Sequence, residues 1–244
     1  MKYNVAAISH IGNVRQVNQD AVLARTACDR NGTVLLAVAD GMGGLSCGEK
    51  ASAIAVATLD RWWKKRKECM TSEDVSASLD AAIFEAHRQI YYLSEQIGQP
   101  TGSTLSLLWI KGKEAVVKQI GDSRVYRVNS SGLWQITEDQ TWCGQMIRAG
   151  KLTEEQARHH RLRHALVNAL GMSSELEISS RSLCVERGDS FLICSDGFYN
   201  ELTPQTMAAI VRKEYPKDAL NSMLRVILEG RAGDNASAVL CRVI

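Results

Sequence analysis

The chain has 244 residues, a formal net charge of +2 and a hydrophobic fraction of 45%. That supplies one large domain with a core, and so near-neutral a balance gives no electrostatic footing for nucleic acid or an acidic partner. Seven cysteines (28, 47, 69, 143, 184, 194, 241) form an odd, scattered set with no Cys-x-x-Cys pair, which speaks against a disulfide framework or structural zinc and for a reducing cytosol.

The N-terminus MKYNVAAISHIGN lacks the pattern of a signal peptide, and no apolar run approaches membrane-spanning length. With three prolines and no low-complexity tract, no linker is visible. The expectation is a single domain over 1–244, cytoplasmic and monomeric, with no membrane or nucleic-acid partner.

In chain order, β-rich runs fall at YNVAAIS (3–9) and TVLLAVA (33–39), the second apolar throughout, as in a strand covered on both faces. A helix follows over 48–67, with good formers and basic residues in its last turn. The next helix spans 72–98, opening with a Ser N-cap and acidic first turn and closing at Gly98. Strands are predicted at 103–110, 114–120 and 124–128; their short turns make them antiparallel neighbours. Residues 138–172 read as short helices and loops, with a Thr cap in KLTEEQA, and form an inserted lobe. Strands at 176–183 and 190–195 then precede two helices, 204–213 and 216–230, each started by a proline, and a last strand at 236–244. Paired helices and consecutive strands do not make a doubly wound sheet. Two sheets between helical layers fit better, an α+β fold. The basic stretches RWWKKRK (61–67) and RHHRLRH (158–164) are expected to be solvated helix faces.

Aspartates recur at the ends of apolar runs. LLAVADG ends on Asp40-Gly41 and leads into a loop with Gly43 and Gly44; FLICSDG ends on Asp196-Gly197. Asp122 follows VVKQIG, Asp234 precedes the last strand, and Asp20 lies five residues beyond Arg15. One Asp-Gly pair alone would be a hairpin turn, but Asp40-Gly41 is expected to lead into a helix, not a partner strand. Clustered carboxylates repel one another unless protonated or neutralised. The natural neutraliser is a hard divalent cation, and a glycine at 41 lets a backbone carbonyl join the ligands. Two such ions can activate water and clamp a phosphoryl oxygen, and an arginine such as Arg15 matches phosphate geometry.

Rival chemistries lack their motifs. Cys143 to Arg148 is one residue short of a Cys-x5-Arg phosphate loop. No G-x-x-x-x-G-K-[ST] loop, no Asp-x-Asp after an apolar strand and no G-x-S-x-G elbow occur.

The series RQVNQDA, VADGMGG…GEKAS, TGSTL, GDSRVYR, ITEDQT, NALG, LICSDGF and GDNASAVL resembles the type 2C family of metal-dependent Ser/Thr protein phosphatases, with all eight blocks in that family's order from residue 12 to 241. The resemblance implies an α-β-β-α sandwich: two mostly antiparallel sheets flanked by helix pairs, with the site at one end. It implies two or three Mn2+ or Mg2+ ions held by Asp40, the Gly41 carbonyl, Asp196 and Asp234, with Asp20 acting through water. Asp122 and Asp196 would hold the third ion and Arg15 the substrate phosphate. The lobe at about 138–172 matches the flap of bacterial members. Phosphoproteins would be the partners, opposing a bacterial Ser/Thr kinase, with type VI secretion control as one setting. Two positions depart from the pattern: Met42 stands where many eukaryotic members carry histidine, and Gln19 where some carry glutamate. The alternative is a catalytically weak phosphoprotein-binding regulator on the same fold, whose mark would be a missing metal aspartate. None is missing.

Overall fold

A computed structural model describes residues 1–27, 32–43, 47–67 and 70–244; Cys28, Gly44 and Cys69 lie outside them. The elements in chain order are β1 (Tyr3–His10), β2 (Asp20–Ala27), β3 (Thr33–Gly43), α1 (Gly48–Lys65), α2 (Ser72–Ile97), β4 (Thr101–Ser103), β5 (Leu105–Lys111), β6 (Glu114–Ile120) and β7 (Arg124–Val128). Then come β8 (Leu133–Gln135), α3 (Trp142–Arg148), α4 (Glu154–Arg158), β9 (Ser179–Cys184), β10 (Ser190–Cys194), α5 (Asp196–Tyr199), α6 (Pro204–Lys213), α7 (Pro216–Glu229) and β11 (Ala236–Val243).

The strands form two sheets, β1-β11-β10-β7-β8 and β2-β3-β5-β6-β9, with β4 added to β3. Every pairing is antiparallel. The continuous apolar runs follow from three stacked cores. Leu35, Ala37 and Ala39 of β3 pack with Ala51, Ala55 and Leu59 of α1 and Leu79 and Ile83 of α2. The alternate residues Val34, Leu36 and Val38 face the other sheet, meeting Phe191 and Ile193 of β10 and Val239 and Cys241 of β11. On the far side Leu192, Ala238 and Leu240 pack under Met207 and Val211 of α6 and Leu220, Met223 and Ile227 of α7. Period-2 alternation therefore puts both faces of β3, β10 and β11 in apolar surroundings, giving the helix–sheet–sheet–helix order.

Several sequence expectations need correction. β2 was not anticipated: its three alanines are weak strand formers, and pairing along the whole of β3 overrides that. β8 is three residues long, too short for periodicity to register. The N-cap of α2 is Thr71, not Ser72; its side chain accepts from Asp74 N, and Asp74 returns the bond in a capping box. The predicted strand at 103–110 divides at Thr104, whose N–H binds Asp40 O at 2.8 Å. Residues Gly41–Gly43 do meet a partner strand, pairing with Ser103, Gly102 and Thr101. Finally, β6 and β7 are not neighbours: the chain passes from one sheet to the other between them, and Asp122 lies on that passage.

Candidate metal centre

The five acids converge because the strand ends that carry them fall at one end of the sandwich. Asp20 begins β2 directly opposite Asp40 near the end of β3. In the other sheet, Cys194 at the end of β10 pairs with both Arg124 at the start of β7 and Ala238. That register leaves Asp122, Asp196 and Asp234 beyond the same edge.

Glycines allow the close approach. A Cβ on Gly41 would lie 2.0 Å from Gly48 O and 2.7 Å from Gln19 O; one on Gly197 would lie 2.2 Å from Asn235 O and 3.0 Å from Asp234 Cβ. Both Asp-Gly pairs thus serve backbone contact between distant segments, not hairpin turns.

A shell of hydrogen bonds fixes the acids. Ser195 Oγ donates to Asp20 Oδ2 at 2.8 Å and accepts from Ser237 N at 3.0 Å. Asp40 N donates to Thr104 Oγ1 at 3.0 Å. Tyr199 OH donates to Asp122 O at 3.2 Å, and the Tyr199 ring carries the Arg124 guanidinium 3.7 Å from its centroid. Arg124 in turn forks onto Asp139, Nε–Oδ1 2.9 Å and Nη2–Oδ2 2.6 Å.

The loop holding Arg15 is stapled by Asn235. Its Nδ2 donates to Ile11 O (2.9 Å) and Val17 O (3.1 Å), and its Oδ1 accepts from Gln19 N (2.9 Å). Arg15 forks onto Asp234, Nε–Oδ1 2.8 Å and Nη2–Oδ2 2.7 Å. That hydrogen-bonded pairing raises the guanidinium above its usual range. Both side chains are partly solvent-exposed, so the arginine has room to swing toward a ligand.

The acids repel one another. Burial pushes the Asp20 carboxyl up to about 6, with hydrogen bonds from Ser237 and Ser195 pulling back. Asp122 rises to about 7, again chiefly by burial, then by the charge of Asp196. Asp40 is driven well above the carboxylate range by burial and by Asp20, Asp196, Asp122 and Asp234. Asp20 Oδ1 is buried with no hydrogen-bond partner. Such a set lacks positive charge at its centre, and a hard divalent cation fits its all-oxygen donors.

His164 comes as an addition. The sequence reading put 158–164 on a solvated face; Arg158 and His159 do pair with Glu155 in solvent, and His160 stacks on Trp142 with ring centroids 4.8 Å apart. His164 instead turns to the acids, Nδ1 lying 3.2 Å from Asp196 Oδ2. That hydrogen bond raises its pKa above the usual imidazole value. Ser195, Thr104, Arg124 and Asn235 were also missed as individuals, although each lies in a motif quoted above.

Residues 9–227 match the profile of the family described as protein phosphatase 2C. The chain belongs to that family. The serine/threonine phosphatase stp of Listeria welshimeri is 30% identical over 205 residues, 83% of this chain and 81% of that one. PppA, a key regulatory component of the type VI secretion system in Pseudomonas aeruginosa, superposes with a TM-score of 0.87 at 29% identity, over 100% of this chain and 99% of that one. The catalytic domain of the serine/threonine protein phosphatase PstP, crystallised in complex with two manganese ions, gives a TM-score of 0.86 at 28% identity and covers 99% and 98%. The anticipated fold class and family are therefore borne out, and the chain is a serine/threonine protein phosphatase of the 2C type. Among the described residues, no helix is long and apolar enough to cross a membrane.

Proposed function

We propose that this phosphatase hydrolyses phosphoserine and phosphothreonine in proteins at a manganese or magnesium centre. Its ligands are Asp40, the Gly41 carbonyl, Asp196 and Asp234, with Asp20 acting through water and Asp122 joining Asp196 on a third ion. The observation that carries the assignment is the convergence of five aspartates at one end of the sandwich, with burial and mutual repulsion raising Asp20, Asp40 and Asp122. Divalent ions bound there lower the pKa of water and stabilise charge on phosphoryl oxygens.

The chain's own groups do the rest. Arg15 binds two phosphate oxygens with the same fork it now lays on Asp234. Ser195 holds Asp20, and Thr104 holds the Asp40 backbone, so ligand positions are set before substrate arrives. Met42 offers no proton to a departing alkoxide, so no side chain at that position serves as general acid.

The whole chain acts as one catalytic domain with the 138–172 segment as its flap, a monomer with neither nucleic-acid nor membrane partner. Its substrates are products of a bacterial Ser/Thr kinase, and the similarity to PppA supports a setting in type VI secretion control. A reducing cytoplasm is supported by Cys143, Cys184, Cys194 and Cys241, none of which forms a disulfide.

The test is hydrolysis of a phosphothreonine peptide by chelator-treated protein, before and after manganese is returned. Activity lost to the chelator and restored by manganese is expected. Full turnover in excess chelator would refute the assignment.

A further inference from the structure

Asp122, His164 and Asp196 each present one donor atom, and the three atoms lie within 4.8 Å of one another. Ligands on one octahedral ion with bonds of about 2.1 Å sit about 3 Å apart when adjacent and about 4 Å when opposite. The trio is thus within about 1 Å of the spacing that a common cation would impose. Asp122 gives independent evidence: it is 5% exposed, and among the described residues no hydrogen bond reaches its carboxylate. A largely buried carboxylate that no protein donor reaches, beside a second carboxylate and an imidazole, is suited to a cation.

His164 does not belong to the sandwich. It sits in the flap, next to Ala165, whose carbonyl accepts from Trp142 N at 2.8 Å, and near Val167, whose N–H binds Gln140 O at 2.9 Å. Gln140 Oε1 in turn accepts from Gly121 N at 2.7 Å, beside Asp122. The imidazole is held from the flap side while both carboxylates are held by sheet ends.

We propose that His164 is a flap-borne ligand to the third cation, joining Asp122 and Asp196, so that filling this position fastens the flap to the sandwich. The proposal rests on the reading of the acidic cluster as a metal centre and adds a nitrogen donor to it. An imidazole nitrogen is a better donor to first-row transition ions, of which Mn2+ binds most weakly, than to Mg2+, which takes oxygen donors. Flap fastening is therefore stronger with Mn2+ than with Mg2+.

Hydrogen exchange of the 158–168 segment in the full chain tests this, with chelator, Mn2+ alone or Mg2+ alone. Mn2+ should slow exchange there by about fivefold or more, the lower end of ordinary coupling between sites. Mg2+ should slow it less, and neither ion should do so in His164→Asn or Asp122→Asn. A parallel manganese titration should show the weakest class of bound ions lost in both variants and the tighter ions retained. If Mn2+ binds but the segment exchanges unchanged or faster, or His164→Asn is protected like wild type, the proposal is wrong. If the wild-type protein binds no Mn2+, the metal-centre reading has failed and the proposal with it.

Discussion

Asp122→Asn should stabilise the metal-free protein at neutral pH, although it removes a residue of the site. The carboxyl is buried, has no hydrogen-bond partner among the described residues, and faces Asp196; burial first and that neighbour second raise it from 3.8 to about 7. Because the folded value is the higher, the folded state holds the proton more tightly. No penalty exists below the unfolded value. It grows as pH rises from about 4 and is complete above about 7, where the chain must bury a charge in order to fold. The full gap corresponds to about 4 kcal/mol, and the part between pH 5 and 8 to about 2–3 kcal/mol.

The isosteric amide carries no such charge. Urea unfolding in excess chelator at pH 5, 6, 7 and 8 should therefore show wild type losing about 2–3 kcal/mol relative to Asp122→Asn as pH rises. His164, raised by its bond to Asp196, contributes stability that is lost over the upper part of the same window. Asp196 remains in both proteins, so that contribution largely cancels, and a repeat in the His164→Asn background removes it. Saturating manganese should reverse the order, because ligand binding to the folded state stabilises wild type more than the variant. Parallel pH curves for the two proteins in chelator would refute the reasoning.

Three other outcomes are expected. Asp196→Asn should lower kcat by about 100-fold or more, while Asn200→Ala, at the exposed end of α5, stays near wild type; equal losses would contradict the ligand assignment. Arg15→Ala should weaken inhibition by free phosphate and lower kcat/KM by roughly 10–100-fold, matching about 1.5–3 kcal/mol for a charged hydrogen-bonded contact; unchanged phosphate inhibition would show that Arg15 stays on Asp234. Asp122→Ala should impair a phosphoserine peptide more than an aryl phosphate, whose acidic leaving group needs little proton donation; an equal factor on both substrates would detach Asp122 from leaving-group departure.

What the sequence carried and what it did not divide along physical lines. An aspartate at either end of an apolar run is anomalous wherever it stands, so Asp40, Asp122 and Asp196 after such runs and Asp234 before one could be named without knowing which strands touch. Their partners could not, because partnership is set by register over long sequence separations. Arg15 meets Asp234 across 219 residues, and Asp20 meets Asp40 only because β2, itself unrecognised, pairs along the whole of β3. Ser195 had no local mark beyond being the serine of an Ser-Asp-Gly. Its role arises because Cys194 pairs with Ala238, which brings Ser195 to Ser237 and aims its hydroxyl at Asp20. His164 is the extreme case: among Arg158, His159, His160, Arg161 and Arg163, a sixth basic or imidazole side chain is chemically indistinguishable from its neighbours. Only the hydrogen bonds of Ala165 and Val167 to Trp142 and Gln140 turn this one inward. A basic run read as one solvated face was thus averaging over side chains that the fold treats individually, and the single member facing the acids is the one with chemistry to do.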